Sequence, residues 1–239
     1  MSMLKVMRQM LTQVGRATKG GGEAAPEEVS DETCDPRPEP QDTGSVLLQA
    51  ALTKENLQSA LKRVRANKGA AGVDGLDINQ SVEHLKSAWP AIKEQLLAGT
   101  YRPSAVRRVT IPKPDGGQRE LGIPTVTDRL IQQALLQVLQ PLLDANFSEH
   151  SYGFRPGRSA HQAVLAAQAH VQSGKTIVVD VDLEKFLDRV NHDILIDRLQ
   201  KRINDAGVIR LVLPFTHKYI HPEPSKPSKN PWHISCRLV

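Results

Sequence analysis

The sequence predicts an α+β fold, and three features carry this prediction. Apolar residues recur at helical spacing in several segments, for example in "TKENLQSALKRVRAN" from Thr53 to Asn67. Two short strands joined by an Asp-Gly-Gly turn are predicted by "AVRRVTIPKPDGGQRELGIP" at 105–124. A further strand, expected to be buried, is predicted by the β-branched run "TIVV" at 176–179. Separate helical and strand segments within one chain indicate the α+β class.

Residues 1–45 differ in composition from the rest of the chain and are expected to form a leader. Segment 1–20 is basic and apolar at helical spacing, which predicts a surface helix, with a targeting peptide as the alternative. Segment 20–44 is rich in Gly, Pro and acidic residues, which predicts disorder because little apolar surface is available to bury. The two cysteines, Cys34 and Cys236, favour a reducing, cytoplasmic location over a disulfide scaffold.

Charge is distributed unevenly along the chain. The first fifty residues hold five Lys or Arg against eight Asp or Glu, a net of −3, whereas the remainder holds 26 against 18, a net of +8. A basic folded body favours a polyanionic partner such as nucleic acid. No run approaches the roughly 18 apolar residues that cross a membrane, so we expect a soluble protein without a membrane partner.

The helices are expected to begin at capping residues and to end at Gly or Pro. The segment from Pro214 onward contains five prolines and shows neither helical nor strand periodicity, which predicts an irregular tail at 214–239. Helices are predicted for 53–67, 81–99, 127–141, 159–174 and 191–204.

The predicted hairpin is rich in cations. Arg107 and Arg108 would lie on opposite faces of its first strand, because successive side chains alternate. Lys113 lies in the turn, and Arg119 lies on the second strand. Cations beside a glycine-rich turn are well placed to contact phosphates. The alternative interpretation is a hairpin whose cations are simply solvated.

Aromatic and cationic residues are combined in "SYGFRPGRSAHQAV" at 151–164. Tyr152 and Phe154 supply aromatic surface, and Arg155 and Arg158 are expected to point out of a rigid turn. A helix is predicted to start directly after this turn, and helix N-termini favour anions. The combination suits base stacking and phosphate pairing. A buried aromatic turn with exposed arginines is the alternative.

Acidic residues follow the apolar run "TIVV". Asp180 and Asp182 would share one face of the strand. A carboxylate at the end of a buried strand suits Mg²⁺, which takes one or two carboxylates together with substrate phosphates. Glu184 is expected to face solvent, and Asp188 to cap or salt-bridge the following turn. Phosphoryl-transfer sites usually hold two metal ions, and this segment supplies one or two ligands.

Three blocks, taken in this order, resemble the first three sequence blocks of group II intron-encoded reverse transcriptases, the intron maturases. They are "RRVTIPKPDGGQRELGIPTVTDRLIQQAL", "FSEHSYGFRPGRSAHQAV" and "VVDVDLEKFLDRVNHD". The upstream "NKGAAGVDGLDI" is similar to the N-terminal block of that family, so the resemblance covers roughly 57–212. It implies a right-hand polymerase fold, with a fingers-like region at 46–174 and a partial palm at 175–213.

The resemblance implies roles for single residues. Asp182 matches the first catalytic residue of the family, a ligand of Mg²⁺. Lys113 and Arg119 match residues that contact the triphosphate of the incoming nucleotide, and Arg107 matches one that contacts the templating base. Leu187 stands where the family has an aromatic residue that packs under the nucleotide sugar. This difference predicts altered sugar discrimination.

The turn with Arg155 and Arg158 resembles the fingers–palm junction, which lines the path of template and nucleotide. The implied partners are an RNA template or intron RNA, a DNA primer and deoxynucleotides. The next family blocks, a Pro-Gln-Gly turn and an aromatic-Ala-Asp-Asp hairpin, do not occur in the 239 residues. We therefore expect an RNA-directed DNA polymerase by family whose catalytic site is incomplete in this chain. The tail at 214–239 is expected to be foreign to the family. The alternatives are an RNA-binding module and an inert remnant of a mobile element.

Overall fold

The computed structural model describes residues 45–112, 114, 116–183, 190–219 and 232–238. The predictions for the leader, Cys34 among them, lie outside this part of the chain. Mixed helix and sheet confirm the α+β class. In chain order the elements are α1 Val46–Ala51, α2 Lys54–Ala66, α3 Ile78–Ala98, β1 Arg107–Pro112, β2 Gln118–Ile123, α4 Val126–Asp144, α5 Ala160–Gln172, β3 Ile177–Leu183, α6 His192–Gln200, α7 Ala206–Tyr219 and β4 Trp232–Leu238.

The strands form two separate antiparallel pairs. β1 pairs with β2, as the sequence predicts, and β3 pairs with β4. The chain turns back between β1 and β2 near Gly116, whose φ of 80° lies in the left-handed region that glycine adopts without a steric penalty. Within the described ranges, no helix combines the length and the apolarity needed to cross a bilayer.

Helix α4 lies at the centre of the helical core. Its apolar residues are buried along most of its length. They belong to one cluster with residues of α1, α3, α6 and α7 and to a second cluster with residues of α2 and α3. Nineteen residues at about 1.5 Å each give this helix a length of roughly 28 Å. The larger cluster includes Leu48, Leu96, Ile131, Leu135, Leu139, Leu199, Val208 and Val212, and the smaller one Ala60, Leu85, Leu130 and Ala134.

A buried carboxylate fixes the start of α4. Asp128 is fully buried and accepts hydrogen bonds from the Tyr101 hydroxyl at 2.9 Å, the Ser104 amide at 3.0 Å and the Thr125 hydroxyl at 2.8 Å. The Asp128 amide in turn donates to the Thr125 oxygen at 3.2 Å. These bonds tie the segment before β1 to the first turn of α4, so they set where the hairpin leaves the core.

A second carboxylate joins α1 to α7. One oxygen of Asp205 accepts from the amides of Leu47 and Leu48, at 2.8 and 3.2 Å, and the other accepts from the Val208 amide at 2.9 Å. The first turns of two helices far apart in sequence therefore share one acceptor. Amides in a first helical turn lack partners inside their own helix, which is why an acidic cap stabilises them.

Several helix boundaries differ from the prediction. α3 begins at Ile78 rather than at 81, α6 ends at Gln200 rather than at 204, and α1 and α7 were not among the predicted helices. The long helix was expected to end near Pro141, but α4 continues to Asp144. A proline late in a helix removes one hydrogen bond, whereas burial of Leu143 in the core favours continuing the helix. Likewise α7 continues past Pro214, and Phe215 after it is buried.

The expectation of an irregular tail from Pro214 is therefore wrong at both of its ends. α7 runs to Tyr219, and β4 covers Trp232–Leu238. The segment "WHISCRL" alternates apolar and polar residues, which is the period of a strand. The stretch 220–231 lies outside the described residues.

The expectation that the "TIVV" strand is buried is also wrong. Ile177, Val179 and Val181 are 66%, 57% and 50% exposed. The faces of a strand are buried only where other elements pack on them. β4 pairs with β3 edge to edge in the sheet, and this pairing does not cover the faces of β3. Apolar composition predicted the strand but could not predict whether other elements pack on its faces.

Replacing Asp128 by Ala should lower the free energy of unfolding by about 3 kcal/mol, because the Tyr101 hydroxyl and Ser104 amide lose a buried acceptor. Urea denaturation followed by circular dichroism measures this change. The matched control is Asp197→Ala, which removes an exposed ion pair with Lys201 and should cost no more than about 0.5 kcal/mol. Equal effects of the two variants would contradict the proposed anchoring of α4.

Candidate nucleic-acid interface

The hairpin places two of the predicted cations on one face. In the register of the sheet, Arg107 lies opposite Ile123 and Arg119 lies opposite Ile111. Residues directly opposite each other project to the same side, and so do residues two positions apart. Arg107 and Arg119 therefore share a face, about 13 Å apart along the strands. Both residues are exposed.

The same face also presents apolar surface. Ile111 and Leu121 on it are 43% and 40% exposed. Arg108 lies on the opposite face, as alternation predicts. A face that combines guanidinium groups with aliphatic surface can contact both phosphates and the planes of sugars and bases. We refer to the side of the hairpin that carries Arg107, Ile111, Arg119 and Leu121 as the basic face.

A glycine loop packs against the base of the hairpin, a contact that the sequence alone did not reveal. A Cβ on Gly72 would lie 2.7 Å from the backbone of Thr125, so only glycine fits there without a shift. Arg129 of α4 donates to the Ala70 carbonyl at 2.8 Å. The signal in the sequence was the glycine spacing of "NKGAAGVDG", which predicted a loop but not its contact.

The structure corrects the prediction that Arg155 points out of its turn. Arg155 is buried, and its guanidinium contacts both carboxylate oxygens of Asp144, at 2.9 and 3.3 Å. It also donates to the carbonyls of Ser148, Ser151 and Asp144, at 2.5, 3.1 and 3.2 Å, and lies 5.6 Å from the ring centroid of Phe147. A guanidinium with this many internal partners stabilises the turn and has no donors left for a phosphate.

The neighbouring side chains of the turn remain accessible. Arg158 is partly exposed, with its guanidinium 5.7 Å from the ring centroid of Tyr152. Phe154 is 43% exposed. Helix α5 then begins with a capping box, in which Ser159 and Gln162 exchange hydrogen bonds between side chain and backbone. We call the segment 151–158 the arginine turn.

The two surfaces lie at opposite ends of one helix. The hairpin joins α4 just before its first residue, Val126, and the arginine turn is bonded to its last residue, Asp144. The two anchoring points are therefore about 28 Å apart, the length of the helix.

The predicted acidic residues lie on β3. Asp180 and Asp182 are both exposed, and strand alternation puts them on one face. Exposed carboxylate oxygens suit Mg²⁺, which takes one or two carboxylates and completes its shell with water and phosphate. Within the described ranges, no group of three or more His, Cys, Asp or Glu could hold a metal ion.

The remaining site predictions fall outside the described part of the chain. In the sequence, Lys113 follows the last residue of β1, and Glu184, Leu187 and Asp188 fall between β3 and α6. The nucleotide contact of Lys113 and the effect of Leu187 on sugar discrimination therefore stay predictions.

Comparison with known proteins identifies the family. Residues 111–230 match the family described as reverse transcriptase (RNA-dependent DNA polymerase). Protein YkfC of Escherichia coli (strain K12) is 36% identical over 172 residues, which is 70% of this chain and 45% of that protein.

Two further relatives carry informative names. The group II intron-encoded protein LtrA of Lactococcus lactis subsp. cremoris is 34% identical over 65% of this chain and 26% of its own length. Nuclear intron maturase 1, mitochondrial, of Arabidopsis thaliana is 33% identical over 41% of this chain and 14% of its own. The alignments thus span less than half of each relative. The chain belongs to the reverse transcriptase (RNA-dependent DNA polymerase) family, within its group of intron-encoded reverse transcriptases and maturases.

Proposed function

We propose that this chain supplies the RNA-binding and nucleotide-contacting part of an RNA-directed DNA polymerase of the group II intron type. The basic face carries this proposal, because it presents Arg107 and Arg119 beside exposed aliphatic side chains. Guanidinium groups beside aliphatic surface suit a ligand that carries both phosphates and planar bases.

The roles follow from position along the hairpin. Arg119 lies near the glycine turn, where Lys113 also falls in sequence, and these two cations are assigned to the triphosphate of a deoxynucleotide. Arg107 lies at the other end of the face and is assigned to the template strand. Arginine suits both tasks because its planar guanidinium pairs with phosphate through two donors and stacks on bases. Arg158 extends the RNA contact to the arginine turn.

The acidic end of β3 is assigned to the metal. Asp182, with Asp180 beside it, would hold Mg²⁺, which when bound neutralises triphosphate charge during nucleotide transfer. Exposed carboxylates at the end of a strand support this assignment. Asp182 matches the first metal ligand of the family. The Pro-Gln-Gly and Asp-Asp blocks of the family do not occur in these 239 residues. We therefore propose RNA binding without polymerisation for the chain by itself.

RNA binding should depend steeply on salt. Replacing Arg107 or Arg119 by Ala should weaken binding to an intron-like structured RNA and reduce the slope of log affinity against log salt by about 0.7 to 0.9, because one phosphate contact is lost. Fluorescence anisotropy between 50 and 300 mM KCl measures both quantities.

The matched control for the hairpin is Arg63→Ala, which removes an exposed arginine of α2. This variant should keep the slope of the unchanged chain. Binding that is insensitive to salt, or equal losses in all three variants, would reject the basic face as the RNA contact.

The purified chain should not extend a DNA primer annealed to an RNA template in Mg²⁺. Transfer through a two-metal site depends on carboxylates that clamp both ions. Strand β3 supplies Asp180 and Asp182, whereas the Asp-Asp block that brings a further metal-binding carboxylate in the family does not occur in these 239 residues. Incorporation of a labelled deoxynucleotide is the measurement. Extension above background that disappears in Asp182→Asn would overturn this expectation and assign polymerisation to the chain.

The two arginines of the arginine turn should separate stability from binding. Arg155→Ala should lower the free energy of unfolding by about 3 kcal/mol, because a buried ion pair and several carbonyl acceptors lose their partner. Arg158→Ala should change stability by no more than about 1 kcal/mol yet weaken RNA binding. Urea denaturation and anisotropy on the same two samples measure this contrast, and a reversed pattern would contradict it.

A further inference from the structure

We propose that a groove between helices α2 and α3 binds an acidic amphipathic helix of a partner protein. This α2–α3 groove is separate from the surfaces assigned to RNA, because Arg107, Arg119 and Arg158 do not line it. Three observations carry the proposal: the apolar residues that line the groove, its extent along two helices and the sign of the charge at its rim.

The lining of the groove is mostly apolar. The groove has a volume of about 500 Å³, which lies within the roughly 300–1,000 Å³ of ligand sites. Its apolar lining residues are Leu52, Leu57, Leu61, Val82, Leu85, Trp89 and Leu130. Four of them are only half-buried, namely Leu57, Leu61, Val82 and Trp89. These side chains keep apolar surface in water that a ligand would cover, and covering it favours binding.

The groove has the extent of a helix site. On α3, the lining residues recur three or four positions apart from Val82 to Lys93, so they form one stripe along the helix. At 1.5 Å per residue, this stripe is about 16 Å long, or three helical turns. Leu57 and Leu61 of α2, one turn apart, line the other side. A groove between two helices accepts the apolar face of a third, whose anchors recur with the same spacing.

The rim of the groove is cationic. All charged residues among the described residues that line it are lysines: Lys54 of α2, and Lys86 and Lys93 of α3, each of them exposed. Lys86 contacts Glu83 at 2.7 Å, in a pair whose side chains are 68% and 69% exposed. Such a pair contributes little to stability, so a carboxylate of a partner can replace Glu83. Charge complementarity therefore selects a helix with an acidic polar face.

The lysines by themselves would also suit RNA, but the lining does not. A phosphate placed against leucine and valine side chains would lose water without gaining a hydrogen bond, which is unfavourable. An amphipathic helix satisfies its own backbone polar groups and presents an apolar face to the groove and carboxylates to the rim. A protein helix is thus the occupant that matches both the lining and the rim.

A designed peptide tests the groove in the full chain. The peptide has about 18 residues, or five helical turns, with leucines on one face and glutamates on the other. Its control has the same composition in an order that spreads the leucines around the helix. Trp89 reports binding, because an apolar helix over its ring should shift its fluorescence emission to shorter wavelength. Measurement in a Trp232→Phe background leaves Trp89 as the one tryptophan.

The amphipathic peptide should shift the emission of Trp89 in a saturable manner, and the control peptide should not. Absence of a shift with the amphipathic peptide, or an equal shift with the control peptide, would overturn the proposal.

The charge of the rim is tested by two matched variants. Lys93→Glu should weaken binding of the amphipathic peptide about fivefold, because an attractive rim charge becomes repulsive. Lys62→Glu makes the same change at an exposed position of α2 outside the groove and should bind like the unchanged chain. Both residues are exposed, so both variants should keep the circular dichroism spectrum of the unchanged chain. Equal weakening in the two variants would contradict binding in the groove.

Other occupants give different results. If oligouridine shifts the emission of Trp89 and displaces the peptide, RNA occupies the groove, and the partner helix is rejected while RNA binding stands. If dodecanoate gives the shift and the peptide does not, the site takes a small amphiphile and the proposal fails. A shift that grows with the concentration of the chain alone would assign the groove to a second copy and would also overturn the proposal.

Discussion

Carboxylates fix both ends of helix α4, and the surfaces assigned to RNA depend on them. At the first turn, Asp128 draws together Tyr101, Ser104 and Thr125 and so holds the root of the hairpin. At the last residue, Asp144 holds Arg155 and with it the arginine turn. The helix between them is buried along most of its length. A rigid core element therefore separates two polar junctions, and each junction supports one exposed cationic surface.

This arrangement explains why Arg155 stabilises the turn whereas Arg158 is available for binding. Arg155 is buried and paired, whereas Arg158, three residues later, stays accessible. The desolvation of Arg155 is tolerable because an ionised partner and several carbonyls replace its water. A ligand approaching the turn thus meets accessible side chains on a fixed backbone, and a fixed backbone reduces the conformational entropy lost on binding.

The sequence predicted the elements better than their surroundings. The hairpin, the presence of helices α2 to α6 and the strand at "TIVVDVD" follow from local patterns, because turn residues, caps and apolar period act over a few positions. Helices α1 and α7 were not predicted. The role of Arg155 depends on Asp144, which is eleven residues away in sequence, and charge patterns do not identify such partners. The exposure of β3, the cap that Asp205 provides for α1 and the pairing of β4 with β3 depend on contacts between distant parts of the chain. The grouping of Arg107 with Arg119 could have been predicted, since it follows from the hairpin register.

The exposed strand β3 has a consequence for the protein in solution. Its valine and isoleucine side chains meet water, and in the described part of the chain β4 occupies one of its two edges. A β-branched strand with an unoccupied edge is a template for pairing with the same strand of another molecule. Such association needs no unfolding of α4 and grows with protein concentration. We therefore expect association between molecules to begin at β3, while the helical core is still folded.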